Sequence, residues 1–360
     1  MRIPLARRIV YTLICTVLGL LALNLAAELV EMSFYGLRRT HGAPAGLYVR
    51  TNVEDPLDPG FQRGPQLQPG ARYRGLFHRM AINSDGFRGP DIARPKPPGG
   101  LRVWCAGGST TFDIYAPDDA STWPARLGQA LQTALPDRRV EVINAGIPGE
   151  IMRGNLQDLV MKGPALEPDV LVIHQGPNEI RRFVSIPHGA AVQPHAPEPL
   201  VQRIALFDLT RRALSVYAPH PAARLNMAVF DTRSLEQAQA SLRAMIDQAK
   251  SQDLTIVLAT HAFAVSPEPT PDELKRFVDA GNLLRMPPAD AARAMEAYDE
   301  MVREVAIDQG LTLADLRAAI PSDPALWGDA IHFSAEGSRR AGAIVAEAVL
   351  GALEPRAEGR

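Results

Sequence analysis

The chain has 360 residues, of which 46% are hydrophobic and 22% charged, and its net charge is −2. That length suits one large domain or two smaller ones, and the apolar content is enough to bury a core. The near-neutral balance offers no basic surface for nucleic acid and no acidic run of the solvating kind.

Arg2, Arg7 and Arg8 mark a basic tail over residues 1–8. An uncharged run follows from Ile9 to Ala27 and ends at Glu28. As a helix it is about 28 Å long, enough to cross a hydrocarbon core. Residues 9–29 are therefore expected to form an uncleaved transmembrane signal anchor. The competing reading is a cleaved signal, but Leu25-Ala26-Ala27 puts leucine where a small residue is wanted. The arginines place the N-terminus inside, making a single-pass inner-membrane protein with a periplasmic body. Arg38 and Arg39 on the far side weaken that bias without reversing it. A cytoplasmic protein with a cleaved or buried N-terminus is the alternative.

Residues 30–100 read as a lead-in or stalk. Pro44, Pro56, Pro59, Pro65 and Pro69 make regular helix improbable there. Met80–Gly89 fits a short strand and turn docking on the main body. From Leu101 the pattern becomes regular. Strands are expected at Leu101–Ala106, Val140–Asn144, Asp169–His174, Leu254–Ala259 and Leu311–Ala314. Helices are expected from Thr122-Trp123-Pro124 to Leu135, near Met152–Met161, at Leu235–Lys250, near Ala289–Gln309 and at Ala335–Leu353. The proline-bearing stretches 184–232 and 264–290 interrupt this alternation and are expected to build pocket walls. Residues 354–360 are a tail. Alternating strands and helices predict an α/β fold with a parallel sheet covered on both faces, and sites at the carboxyl ends of its strands.

Four of the expected strand ends carry unusual residues: Gly107-Gly108-Ser109-Thr110-Thr111, Asn144-Ala145-Gly146-Ile147-Pro148-Gly149, Gly176-Pro177-Asn178-Glu179 and Asp329-Ala330-Ile331-His332. Acyl transfer needs a hydroxyl, a base to take its proton, a carboxylate to orient that base, and donors around an oxyanion. Ser109, His332 and Asp329 suit the first three roles. The N–H groups of Ser109 and Gly149 and the amide of Asn178 suit the oxyanion hole. Each has a plainer use: Gly107-Gly108-Ser109 as a turn, Asn178 as a turn cap, Gly149 as a positive-φ residue and Asp329 as a solvated acid. Gly-x-Ser-x-Gly, the elbow of ordinary α/β-hydrolases, does not occur.

These four blocks, together with Trp123-Pro124, resemble the SGNH hydrolases, also called the GDSL esterase/lipase family, over roughly residues 101–350. The resemblance implies a flavodoxin-like three-layer α/β/α sandwich spanning residues 101–353. It matches Ser109 to the nucleophile, Gly149 and Asn178 to the oxyanion residues, and Asp329 and His332 to the family's last pair. It implies no metal and no organic cofactor. The chain departs from the family pattern in reading Gly-Gly-Ser for Gly-Asp-Ser and Gly-Pro-Asn-Glu for Gly-x-Asn-Asp. The implied function is a serine esterase acting on carbohydrate O-acyl, lipid or short-acyl esters. Its partners would be a small-molecule or glycan ester and, through the N-terminal helix, the membrane. An O-acyltransferase of an envelope glycan and a non-catalytic envelope binding module are the alternatives.

Several other residues have weaker claims. His174 reads as a structural histidine and His261 as better placed to line the pocket. His188, His195 and His220 lack metal-ligand spacing. Arg181-Arg182 read as a solvated pair, with an anionic substrate as the alternative. Cys15 and Cys105 are not expected to meet, and Cys105 reads as a small buried hydrophobe.

Overall fold

The computed structural model describes residues 4–35, 39–40, 43–44, 48–49, 66–74, 79–183, 232–266, 268–276 and 286–354. The chain divides into two compact units. The first comprises Met1–Leu47, Tyr73–Arg79 and Ala191–His220; the second comprises Tyr48–Arg72, Met80–Ala190 and Pro221–Arg360.

In the first unit, helix α1 spans Leu5–Tyr35. Its segment Val10–Ala27 is long and apolar enough to cross a membrane, and 6% of that segment is buried. The helix continues past residue 30, where regular helix was expected to be improbable. The lead-in's first proline is Pro44, so no proline interrupts α1.

The second unit is built on a five-stranded parallel sheet: β1 (Leu101–Gly107), β2 (Val140–Gly146), β3 (Val170–His174), β4 (Thr255–Ala259) and β5 (Thr312–Ala314). The spatial order is β2-β1-β3-β4-β5, the flavodoxin-like order. Every residue of β1 and of β3 is buried, as the unbroken apolar runs of a sheet covered on both faces require. Helices α3 (Trp123–Ala134) and α8 (Ala335–Leu353) pack together on one face. Helices α4 (Met152–Leu166), α6 (Thr232–Ser251) and α7 (Pro288–Asp308) cover the other. Thr122 caps α3 by accepting from the N–H of Ala125 at 3.3 Å, with Pro124 in the first turn.

Register decides where the functional loops emerge. Gly107 lies beside both Gly146 and His174, and Ala259 beside Ala314. All five strands therefore end along one edge. The order reverses between β1 and β3, the crevice where such sheets hold ligands.

Residues 80–100 belong to this body. Oδ1 of Asn83 accepts from the N–H groups of Asp85 (3.0 Å) and Phe87 (2.9 Å), making a tight Asx turn. The turn sends Phe87 into the core, where its ring meets Trp104 edge-on at 5.1 Å. Burying a ring of this size is worth about 1.5–3 kcal/mol. Arg88 then bridges antiparallel to Asn144 and covers the outer edge of β2.

Candidate active site

Ser109 opens the one-turn helix α2 (Ser109–Phe112) directly after β1. Of the two glycines before it, Gly107 is a steric necessity and Gly108 leaves room for a neighbouring side chain. A Cβ on Gly107 would lie 2.0 Å from Oγ1 of Thr111 and 2.3 Å from the carbonyl of His174. One on Gly108 would lie 2.5 Å from Nδ2 of Asn178. The expected turn is thus a tightly packed entry to a helix.

His332 reaches the same point from the loop before α8. Its Nε2 lies 2.8 Å from Oγ of Ser109, and its Nδ1 lies 2.7 Å from Oδ2 of Asp329. The Asp-x-x-His spacing closes a small ring in which Oδ1 of Asp329 accepts from the N–H groups of Ile331 (2.9 Å) and His332 (2.8 Å). The N–H of Gly328 donates to the carbonyl of His332 at 2.8 Å, and Trp327 bridges Phe333. Burial alone would raise the Asp329 carboxyl, but the adjacent His332 and the donors on its oxygens hold it below its usual value. It therefore stays ionised, able to fix the imidazole and to balance a charge forming on it.

Gly149 has φ +82, and a Cβ there would meet nothing within 4 Å, so backbone conformation rather than crowding calls for glycine. Its N–H and that of Ser109 donate to no acceptor among the described residues. The segment is held from the third block. Nδ2 of Asn178 and Nε2 of Gln175 both donate to the carbonyl of Glu150, at 2.8 and 2.9 Å. Glu179 accepts from the N–H of Met152, the first residue of α4. The glutamate that departs from the family pattern thus ties helix α5 (Pro177–Phe183) to the start of α4. Ser109 opens α2, Gly149 lies in the turn after β2 and Asn178 lies in the first turn of α5, all at the carboxyl edge of the sheet.

His261 corrects an expectation: it does not line a pocket. It is fully buried and stacks on His174, with ring centroids 4.9 Å apart. Burial depresses both rings, His174 to about 4 and His261 well below its usual value, so the pair is uncharged at neutral pH. Trp123 meets His174 edge-on, and its Nε1 donates to the carbonyl of Thr110 at 3.0 Å. The Trp-Pro feature therefore supports the serine turn from behind. Tyr115, which drew no attention in sequence, lies edge-on to His332 at 5.7 Å.

Cys105 is buried and Cys15 exposed, both as free thiols. Among the described residues no group of three or more His, Cys, Asp or Glu is placed to hold a metal ion. His188, His195, His220 and the side chains of Arg181 and Arg182 lie outside the described residues, as do most of stretch 184–232 and part of 264–290.

Residues 105–340 match the model of the GDSL-like lipase/acylhydrolase family. Among solved structures, the chain is similar to an acetyl xylan esterase variant from Geobacillus stearothermophilus, with 18% identity over 71% of this chain and 94% of that one, at a TM-score of 0.44. It is also similar to the lipase/acylhydrolase from Enterococcus faecalis, with 20% identity over 71% and 98% and a TM-score of 0.42. LAE5, an alpha/beta hydrolase enzyme from the metagenome of Lake Arreo, Spain, is 19% identical over 71% and 95%, with a TM-score of 0.44. No curated protein matches the chain.

Proposed function

Because the chain belongs to the GDSL-like lipase/acylhydrolase family, we propose that it is a serine esterase in which Ser109 attacks an ester carbonyl. The observation that carries this reading is the hydrogen-bonded chain from Asp329 through His332 to Oγ of Ser109. His332 takes the serine proton as the tetrahedral intermediate forms and returns it to the leaving alcohol. Asp329 orients the ring and offsets its charge. The N–H groups of Ser109 and Gly149 and the amide of Asn178 receive the oxyanion. Water, activated by the same histidine, then releases the acid from the acyl-serine.

The substrate class is a carbohydrate O-acyl, lipid or short-acyl ester. Fluorophosphonate labelling tests the chemistry: the wild type should label and Ser109→Ala should not. Equal, negligible labelling of both would sink the reading. Measuring free acid against acyl transfer to glycan acceptors then separates hydrolysis from acyltransfer.

The N-terminal helix is proposed as the membrane anchor, with the catalytic body in the periplasm. The apolar span of α1 and the arginines before it support this. A reporter that is active only outside the cytoplasm, fused after Arg360, should show activity, and a silent but expressed fusion would reverse the topology.

A further inference from the structure

Arg88 precedes the family match, which begins at residue 105. It nevertheless reaches the end of the helix that carries Ser109. Its Nη1 donates to the carbonyls of Phe112 (3.1 Å) and Asp113 (2.8 Å), and its Nη2 to that of Ala116 (3.3 Å). Its Nε donates to Oδ1 of Asp119 at 2.9 Å, and Oδ2 of Asp119 in turn accepts from the N–H of Ala81. The guanidinium carbon lies 5.0 Å from the centre of the Phe112 ring. Arg88 is 4% exposed.

A charge this deep needs a counter-charge and a full set of acceptors. Asp119 supplies the first, and the three carbonyls supply much of the second. Phe112 is the last residue of α2, Asp113 is its C-cap and Ala116 lies beyond it; the helix itself needs outside help. It is one turn long, too short to hold itself, and no side chain caps its N-terminus. The carbonyl of Phe112 has no partner within the helix, and the guanidinium fork meets it together with those of Asp113 and Ala116 just beyond. Within the clamped stretch Asp113–Ala116 lies Tyr115, whose ring packs on His332. The arginine therefore constrains the approach of serine and histidine from both sides.

We propose that Arg88 is a positioning residue for the reaction, tying the carbonyl end of α2 to the body so that Oγ of Ser109 stays aligned with His332. This rests on the reading of Ser109 as nucleophile, and it makes the segment before the matched region part of the working enzyme.

The full-length protein is assayed with p-nitrophenyl acetate and with the fluorophosphonate probe, alongside thermal melting. A displacement of about 1 Å can cost a hundred-fold, so Arg88→Met should lower kcat about ten- to a hundred-fold with KM within about two-fold. Arg88→Lys should fall between Arg88→Met and wild type, since one ammonium cannot meet all three carbonyls. Labelling of Ser109 should slow in parallel. A folded Arg88→Met with wild-type kcat overturns the inference. If that variant does not fold, Asp119→Asn, which frees the guanidinium without removing it, is measured instead. It should lower kcat about two- to five-fold on the same geometric argument, and an unchanged kcat overturns the inference. A wild type that neither labels nor hydrolyses ester marks failure of the esterase reading. A reactive wild type with unaffected variants marks failure of this inference alone.

Discussion

A Cβ on Gly108 would lie 2.5 Å from Nδ2 of Asn178. The second glycine of the serine turn and the asparagine of the third block therefore share one small volume, and the missing aspartate of the family pattern is the room that this amide occupies. Backbone strain is not the issue, because Gly108 has φ −94, open to any residue. The atom in the way is the tip of a side chain, which moves at little cost to folding. Gly108→Ala and Gly108→Asp should thus melt near the wild type while displacing a proposed oxyanion donor. Losing one such donor costs about 10²–10³ in kcat. Steady-state kinetics on the folded variants checks this, and a wild-type kcat would remove Asn178 from the oxyanion hole.

Glu179 gives a parallel case. Its carboxylate pairs with the N–H of Met152 and so steadies the segment holding Gly149. Glu179→Asp restores the family's usual residue but shortens the reach by one methylene. It should destabilise the protein by about 1 kcal/mol, as loss of a helix N-terminal partner does. Glu179→Gln keeps the reach and an acceptor oxygen, and should retain more stability and more activity. Denaturant melts of both variants, with kcat measured on each, decide the order.

Asp329→Asn tests the orienting carboxylate. The amide keeps the shape but neither holds the imidazole tautomer nor offsets its charge, so kcat should fall about 10³–10⁴-fold. Because its folded value is held below the usual 3.8, Asp329 stabilises the fold fully above that pH. The contribution is lost on acidification through the depressed value. Acid titration of the wild type against Asp329→Asn should show the variant less sensitive at the low-pH end.

Asp113 has the opposite sign. It sits in the left-handed region at φ 66, is 1% exposed, and its Oδ2 accepts from the N–H of Trp123 at 2.7 Å. Burial pushes its carboxyl up to about 6, with Ser338, the Trp123 N–H and the charges of Arg88 and His332 offsetting this only in part. The folded state thus keeps a proton that the unfolded chain releases near 3.8. Stability from this group should fall as pH rises from about 4 to about 6 and then level off, a change of about 3 kcal/mol at most. Asparagine tolerates the left-handed backbone, so Asp113→Asn should flatten that slope and gain on the wild type through the same window. Denaturant melts at pH 4, 5, 6 and 7 read the difference.

Much of the architecture was legible because its signals are local. The apolar runs that became β1 to β5 were bounded by turn residues and separated by helical periodicity. Parallel pairing then obliges their carboxyl ends to share an edge. That rule places the turn carrying Ser109 on the edge; His332, 223 positions away, meets it from the loop before α8, where the Asp-x-x-His spacing adds Asp329. His261 could not be placed in this way. It follows a strand end as Ser109 does, yet it turns inward onto His174, because the space beside Gly176 is filled by its own side chain.

The sequence by itself determined the order of strands and helices, the blocks at the strand ends and the long apolar N-terminal helix. Each depends on periodicity, turn chemistry or spacing within a few residues. Tertiary structure alone decided that Arg88 grips the end of α2, that Glu179 reaches α4, that Tyr115 packs on His332 and that Gly108 makes room for Asn178. Those contacts join residues from separate elements at distances of a few ångströms. No local rule specifies them, because they follow from how the packed layers and the lead-in meet once the sheet has formed.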